Sequence, residues 1–252
     1  MERNELTLEQ EMRRVWDVEQ VKQLMHKRVF LQTWDRRQEE LDTLWVTEPE
    51  RKKTASYGSN WGYYVGMEAI RGYYVDAHQT RLEEQRAANG AEELNLGNMY
   101  AHPLTTGLVE VARDGQTAKG LWMSTGAILM LHDEGAEEGR SFTWDSGKYA
   151  VDFIKTGKGW RIWHLHVCDM WRADFDRDPV ANAAPLDRGT TQAMIDEWNA
   201  RAAAGETVMP HGMPVIPDGP TTFHYAYASD SVAPREPRPP VPYRTFSETF
   251  SY

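Results

Sequence analysis

The sequence predicts an α+β fold, with helices in the first part of the chain and long antiparallel strands after them. Residues 7 to 34 carry apolar side chains at helical spacings of three and four. Two runs rich in aromatic and β-branched residues flank the glycines at 156 to 159, and Asp114-Gly115 is a second hairpin signal. Helices followed by hairpins, without βα alternation, are typical of an α+β domain.

Local signals predict the first elements. Thr7 and Gln10 fit a capping box at the start of the first helix. A second short helix is expected over 38 to 46, a short strand over 53 to 57, and a longer helix from 67 through 86.

The strands follow in a meander over 98 to 111, 117 to 131 and 141 to 171. Side chains on a strand alternate between its faces, so His164 and His166 should share one face with Trp160 and Ile162. His164-Leu165-His166 is therefore expected either to line a polar interior or to bind a metal ion. A third and fourth metal ligand are not evident, and no metal site is predicted.

Composition limits the function classes. The 252 residues carry 28 basic and 38 acidic side chains, a net charge of −10, so nucleic acid is not an expected partner. The charged N-terminus and the absence of a long apolar run predict a cytoplasmic protein without a membrane span. The single cysteine, Cys168, excludes an internal disulfide. Ten Trp and eleven Tyr residues indicate either a well-packed core or a pocket for a flat apolar ligand.

The last third has a different character, because 11 of the 13 prolines lie there. We therefore expect a domain over 1–171 and an extension over 172–252 with one helix at 190 to 204. The extension should be an arm laid over its own domain or a neighbouring subunit, with a disordered tail as the alternative. Its expected aromatic anchors are Phe223, Tyr225, Tyr227, Tyr243, Phe246 and Phe250.

Four stretches resemble the nuclear transport factor 2-like superfamily, in its SnoaL-like branch. They are LMHKRVFLQTWDRRQEELDTLW, YYVGMEAIRGYY, MYAHPLTTGLVEVARDGQTAKG and DSGKYAVDFIKTGKGWRIWHLHV, within about residues 15 to 171. The resemblance implies a cone of curved antiparallel sheet closed by N-terminal helices, with a deep pocket. The scaffold hosts isomerases, dehydratases, cyclases, lyases and binders, so the fold does not name the function.

The resemblance also implies two catalytic candidates. A histidine at the position of His102 commonly faces the pocket and moves a proton, although it could instead cap its strand. A carboxylate at the position of Asp35 commonly points inward, where it could orient His102 or act as a base; it could also pair with a neighbouring arginine. Related bile-acid dehydratases have a tyrosine where this chain has Phe30, which counts against an unchanged dehydratase mechanism.

Other candidates complete the expected site. Tyr64 and Tyr100 could act as proton donors, and Arg71 could hold an anionic oxygen. Aromatic walls and polar lining would come from Trp61, Tyr63, Trp122, His164 and His166.

The sequence thus predicts a cofactor-independent lyase acting by acid/base catalysis on a hydroxylated aromatic or polycyclic compound, assembled as a homodimer or homotrimer. No dinucleotide, phosphate-loop or nucleophile-elbow motif is present. Lyases that deformylate lignin-derived diarylpropanes look similar in their aromatic content. The alternatives are a dehydratase or ketosteroid-isomerase-like enzyme, and a non-catalytic binding protein.

Overall fold

The first element is a 26-residue helix whose start is fixed by its capping box. In the computed structural model, α1 spans Leu8–Thr33. Thr7 Oγ1 accepts from the Gln10 backbone N–H at 3.3 Å, and the Gln10 side chain accepts from the Thr7 N–H at 2.9 Å. The predicted capping box is confirmed. The structure describes residues 6–131, 139–176, 190–206, 215–221 and 235–252, with 178, 180, 227, 229, 230 and 232.

Helices precede and flank a seven-stranded sheet. The further helices are α2 (Arg37–Leu44), α3 (Pro49–Thr54), α4 (Met67–Arg71), a π-helical turn (Gly72–Asp76), α5 (Ala77–Asn89) and α6 (Gln192–Ala203). The strands are β1 (Ser56–Ser59), β2 (Gly62–Val65), β3 (Met99–Ala101), β4 (Leu104–Val111), β5 (Thr117–Met130), β6 (Ser141–Thr156) and β7 (Gly159–Asp174). Among the described residues, no helix has both the length and the hydropathy to cross a membrane.

The expected strand over 53 to 57 is wrong in its first half. Pro49 occupies the first turn of α3, where a missing N–H costs nothing, and the extended chain begins only at Ser56.

The sheet has the order β2-β1-β7-β6-β5-β3, and β4 shares the free edge of β5 with β3. All pairs are antiparallel except β1 with β7. The α+β prediction is confirmed, and the curved sheet does not close on itself.

Two bulges in β7 set which way its side chains point. Phe153 pairs with Ile162 whereas Asp152 pairs with His164, so Trp163 is an extra residue. A bulge bends the strand and interrupts the alternation of faces. Trp160 Nε1 donates to Asp17 of α1, which places Trp160 and Ile162 on the inner face, beneath the helix. His164 and His166 therefore lie on the outer face, and the prediction that they share a face with Trp160 and Ile162 is wrong.

The inner face packs against α1 and α2 around a buried ion pair. Arg28 Nε lies 3.1 Å from Glu40 Oε1, and both side chains are fully buried. Glu40 also accepts from Tyr74 Oη at 2.8 Å and from Trp45 Nε1 at 3.3 Å. The Arg28 guanidinium lies over the Tyr149 ring at 5.0 Å. These contacts offset part of the cost of burying the charge pair, although Arg28 Nη2 has no hydrogen-bond partner among the described residues.

The outer face carries a second buried ionic group, which we call the outer polar row: Lys119 of β5, Asp152 of β6 and His164 of β7. Lys119 Nζ lies 2.5 Å from Asp152 Oδ1, and His164 Nδ1 lies 2.9 Å from Asp152 Oδ2. Burial lowers the pKa of Lys119, and the charge of Asp152 opposes that shift.

Residues 246–252, the C-terminal strap, cover this row. Lys119 Nζ lies 5.1, 4.5 and 4.6 Å from the ring centroids of Phe246, Phe250 and Tyr252. The Tyr252 N–H donates to Asp152 Oδ2 at 2.9 Å. Four of the expected anchors thus contact the chain's own sheet: Phe246 and Phe250 at Lys119, Tyr243 with its Oη 3.2 Å from Thr117 Oγ1, and Tyr227, whose N–H donates to the Met170 carbonyl at 2.6 Å. Phe223 and Tyr225 lie outside the described residues.

Asp152→Ala should destabilise the fold by about 3 to 5 kcal/mol, because it leaves the buried Lys119 ammonium without its counter-charge. Urea unfolding measures this. Glu50→Ala, which breaks the exposed pair with Lys53, should change the unfolding free energy by less than about 1 kcal/mol. An Asp152→Ala effect as small as that of Glu50→Ala would contradict a structural role for the row.

Candidate active site

Four polar side chains meet on the inner face near the open end of the β6–β7 hairpin. This inner polar cluster consists of His102, Asp145, Asp169 and Arg172. Asp145 of β6 pairs in register with Arg172 of β7, and its Oδ2 accepts from Arg172 Nη2 at 2.7 Å and Nε at 3.1 Å. Asp145 is buried.

A glycine brings His102 to this carboxylate. Gly126 of β5 pairs with Asp145, and a Cβ there would lie 2.0 Å from the Ala101 carbonyl oxygen and 3.1 Å from His102 Cα. Only glycine lets the connection between β3 and β4 approach the sheet so closely. His102 Nε2 consequently lies 3.9 Å from Asp145 Oδ2, with 13% of the side chain accessible.

Of the two carboxyl groups in the cluster, Asp169 has the longer contact with Arg172. Its Oδ2 lies 3.8 Å from Arg172 Nη2, and 21% of its side chain remains accessible. Burial, then the nearby charge of Asp145, raises the pKa of Asp169 to about 6, against the opposing charges of Arg172 and His102.

Asp145 shows the opposite behaviour. Burial disfavours its charged form, but the His102 and Arg172 contacts outweigh it and hold the pKa of Asp145 below its ordinary value. Two neighbouring carboxyls whose pKa values are pushed apart are a feature of acid/base sites.

Three tyrosines interact electrostatically with the cluster. Burial raises the pKa of Tyr73 and of Tyr149, so both phenols stay neutral hydrogen-bond donors. Asp169 acts on both phenols electrostatically, and Tyr100 acts on Arg172. Tyr100 also meets the His78 ring edge-on, with centroids 6.3 Å apart.

Asp35 pairs with His78 and not with His102. Asp35 follows α1 with a φ of 57°, a left-handed conformation that aspartate adopts more readily than most residues. Its Oδ1 lies 2.6 Å from His78 Nε2 and 3.3 Å from Arg37 Nε. The expected direct contact between Asp35 and His102 is absent from the described contacts.

The hydrogen bonds of His78 fix its tautomer. Arg81 Nη2 lies 3.1 Å from His78 Nδ1, and a guanidinium can only donate. Nδ1 is therefore the acceptor, and the ring proton lies on Nε2, facing Asp35. Burial is the main cause that lowers the pKa of His78, against the raising effect of the Asp35 hydrogen bond. His78 is thus a neutral partner that orients Asp35.

Two of the expected site residues are part of the core. Tyr64 is fully buried, stacks on Tyr73 at 4.0 Å and donates to the Val215 carbonyl at 3.2 Å. Burial raises the pKa of Tyr64. Trp122 is 2% exposed and packs edge-on to Phe153 at 6.1 Å.

Others lie away from the inner cluster. Tyr63 and His166 lie on the outer face, with Tyr63 Oη 2.8 Å from His166 Nδ1. His164 belongs to the outer polar row. Arg71 lies at the surface, where it contacts Gln38 and Asp42 of α2. The Trp61 carbonyl accepts from Thr190 Oγ1 at 2.6 Å.

Sequence reasoning missed Asp145, Asp169 and Arg172. An unshifted hairpin counted from the turn at 156 to 159 would pair Asp145 with Met170, whereas the bulges at Trp163 and Met170 bring it opposite Arg172. The available signal was an acidic and a basic residue near the open ends of paired strands.

The sequence matches the family model of the SnoaL-like domain over residues 13–166, more than half of the chain. The protein belongs to the SnoaL-like domain family. Among curated proteins, none is significantly similar to this sequence.

Solved structures similar to this SnoaL-like protein include three at low identity. An NTF2-like protein with a cystatin-like fold from Novosphingobium aromaticivorans is 19% identical, over 73% of this chain and 98% of that one, with a TM-score of 0.41. LinA is 13% identical, over 67% and 96%, with a TM-score of 0.45. An NTF2-like superfamily protein from Salmonella enterica is 13% identical, over 62% and 92%, with a TM-score of 0.43. At this similarity they say nothing about the chemistry of this SnoaL-like chain.

His166 should stay neutral far below the pH at which an exposed histidine titrates, because burial lowers its pKa to about 3. The unfolded chain binds a proton near pH 6.5, so this histidine's contribution to stability is complete above that pH and is lost as the pH falls towards 3. NMR titration of the ring resonances measures it, with the exposed His26 as the internal reference. A midpoint for His166 equal to that of His26 would contradict the prediction.

Proposed function

We propose that the protein is a cofactor-independent lyase in which His102 transfers a proton to or from a hydroxylated aromatic or polycyclic substrate. The inner polar cluster is the proposed site, and Asp145, not Asp35, is the carboxylate beside the histidine. Lignin-derived diaryl compounds are one substrate class of this kind.

The unused hydrogen-bonding capacity of His102 supports the proposal most directly. Its Nδ1 is buried and has no hydrogen-bond partner among the described residues, and its Nε2 lies 3.9 Å from Asp145, beyond hydrogen-bond distance. A buried polar atom without a partner is costly for a residue that only supports the fold. Hydrogen bonds of catalytic groups are often long before substrate binds and shorten in the complex.

The neighbours of His102 suit proton transfer. The Asp145 carboxylate favours an imidazolium when His102 takes a proton. Arg172 holds Asp145 in place through two hydrogen bonds to the same oxygen. Tyr73 and Tyr100, both half-buried, are the aromatic residues that interact electrostatically with Asp169 and Arg172 of the cluster. These rings support an aromatic substrate.

A dehydratase or isomerase would use the same groups. Phe30, the residue at which this chain differs from bile-acid dehydratases, is 57% exposed and lies beside Trp34. It therefore contributes no donor to the inner cluster. A binding protein that holds an aromatic ligand without converting it is the alternative from another class.

His102→Ala should lower kcat/KM by about 10² to 10⁴, the usual contribution of a general acid/base group. The substrates would be a panel of hydroxylated aromatic compounds that includes diarylpropanes, with products followed by NMR. Ligand binding, measured by calorimetry, should be retained in the variant.

His26→Ala, which changes an exposed histidine on α1, is the matched control and should leave kcat/KM unchanged. Binding of panel compounds without turnover by the wild-type protein would instead identify a binding protein. Full activity in His102→Ala would remove His102 from the mechanism.

A further inference from the structure

We propose that Asp169 is the second proton-carrying residue of the site, the general acid that complements His102. This inference rests on the proposed function and deepens it in its dehydratase form, since it assigns the group that protonates the leaving oxygen. Neither the sequence patterns nor the resemblance pointed to this residue.

The geometry of Arg172 separates the roles of the two carboxyls. Its Nε and Nη2 both donate to Asp145 Oδ2, at 3.1 and 2.7 Å, whereas Asp169 Oδ2 is 3.8 Å from Nη2. Within the described part of the chain, no hydrogen bond reaches the Asp169 carboxyl oxygens. Arg172 thus neutralises Asp145 and leaves Asp169 as the carboxyl that can hold a proton.

Groups from every neighbouring element face Asp169. They are Asp145 and Tyr149 of β6, Arg172 of β7, His102 before β4, and Tyr73 of the π-helical turn. The carboxylate of Asp145 favours the protonated form of Asp169, and the positive charge of Arg172, together with that of His102 when it carries a second proton, favours the ionised form. The balance places its titration at about pH 6, where a carboxyl can exchange protons under near-neutral conditions.

The step that this arrangement supports is an elimination across a carbon–oxygen bond. His102 takes a proton from the carbon next to the carbinol carbon, and the electron pair of that C–H bond becomes the new π bond. The C–O bond breaks, and the leaving oxygen takes the proton of Asp169 and departs as water. His102 is then protonated and Asp169 is ionised. Transfer of one proton through solvent from His102 to Asp169 restores both residues. The substrate class is therefore an aromatic compound with a hydroxyl one carbon from an acidic C–H bond.

The test compares pH profiles of kcat/KM on such a compound. The wild-type profile should fall as the pH rises through about 6, because only protonated Asp169 donates. We call this decrease above about pH 6 the alkaline limb of the profile. Asp169→Asn should lower kcat about 100-fold, change KM little and abolish this limb. Asp196→Asn, which alters an exposed aspartate on α6, should leave the profile unchanged.

Two neighbouring substitutions should move the limb in opposite directions. Asp145→Asn removes a charge that raises the pKa of Asp169, so the limb should move to lower pH. Arg172→Gln removes a charge that lowers it, so the limb should move to higher pH. A merely structural role for Asp169 would produce neither shift.

Stability provides a readout that needs no substrate. Asp169 is protonated more easily in the fold than in the unfolded chain, so its stabilising contribution is complete below about pH 4 and is lost as the pH rises through about 6. Asp169→Asn should therefore be more stable than wild type at pH 8, and this gain should vanish below pH 4.

The outcomes separate the two proposals. An unchanged limb and unchanged kcat in Asp169→Asn, with activity abolished in His102→Ala, would overturn this inference alone. Absence of elimination by the wild-type protein would overturn the assigned role of Asp169 together with the step. Loss of the limb and of activity, with stability gained at pH 8, is the result expected for the general acid.

Discussion

The two bulges of β7 are the constraint on which the proposed site depends. Each inserts one residue, Trp163 or Met170, opposite a continuous β6 and so interrupts the alternation of side chains. The first bulge puts His164 on the outer face, although Ile162 lies on the inner one. The second brings Arg172 opposite Asp145. Without these bulges, β7 would contain the same residues, but His164 would not pair with Asp152 and Arg172 would not pair with Asp145.

Both faces of the sheet carry a group of charged residues with a histidine, but the two groups differ in how many of their polar atoms have partners. The outer polar row contains a histidine, an aspartate and a cation, and each has polar partners. Asp152 lies within hydrogen-bond distance of Lys119, His164 and the Tyr252 N–H, and His164 Nε2 lies 3.1 Å from the Thr54 carbonyl oxygen. The strap completes this set. A fully paired, covered group of charges stabilises one arrangement of chain and offers nothing to a substrate.

The sequence predicted correctly those elements whose formation depends on residues close together in the chain. The capping box at Thr7 and the Asp114-Gly115 turn follow from neighbouring residues, and both mark elements that form as expected. The face of His164 and the partner of Asp35 could not be predicted, because a bulge depends on how the whole sheet bends and His78 reaches Asp35 from a different helix. Alternation and proximity along the chain are reliable only where the register is regular.

The inner cluster differs from the outer row in what it leaves unsatisfied. His102 Nδ1 has no partner among the described residues, and Asp169 is enclosed beside a carboxylate that already occupies Arg172. Such an arrangement costs free energy, and it persists because the rest of the fold holds it: Gly126 admits the His102 connection, and the buried Arg28–Glu40 pair fixes α1 and α2 over the sheet. A catalytic site often contains groups that lower the stability of the fold, and contacts in the surrounding core compensate for that loss. The contrast between the outer row and the inner cluster therefore supports the proposal that the chemistry takes place on the inner face.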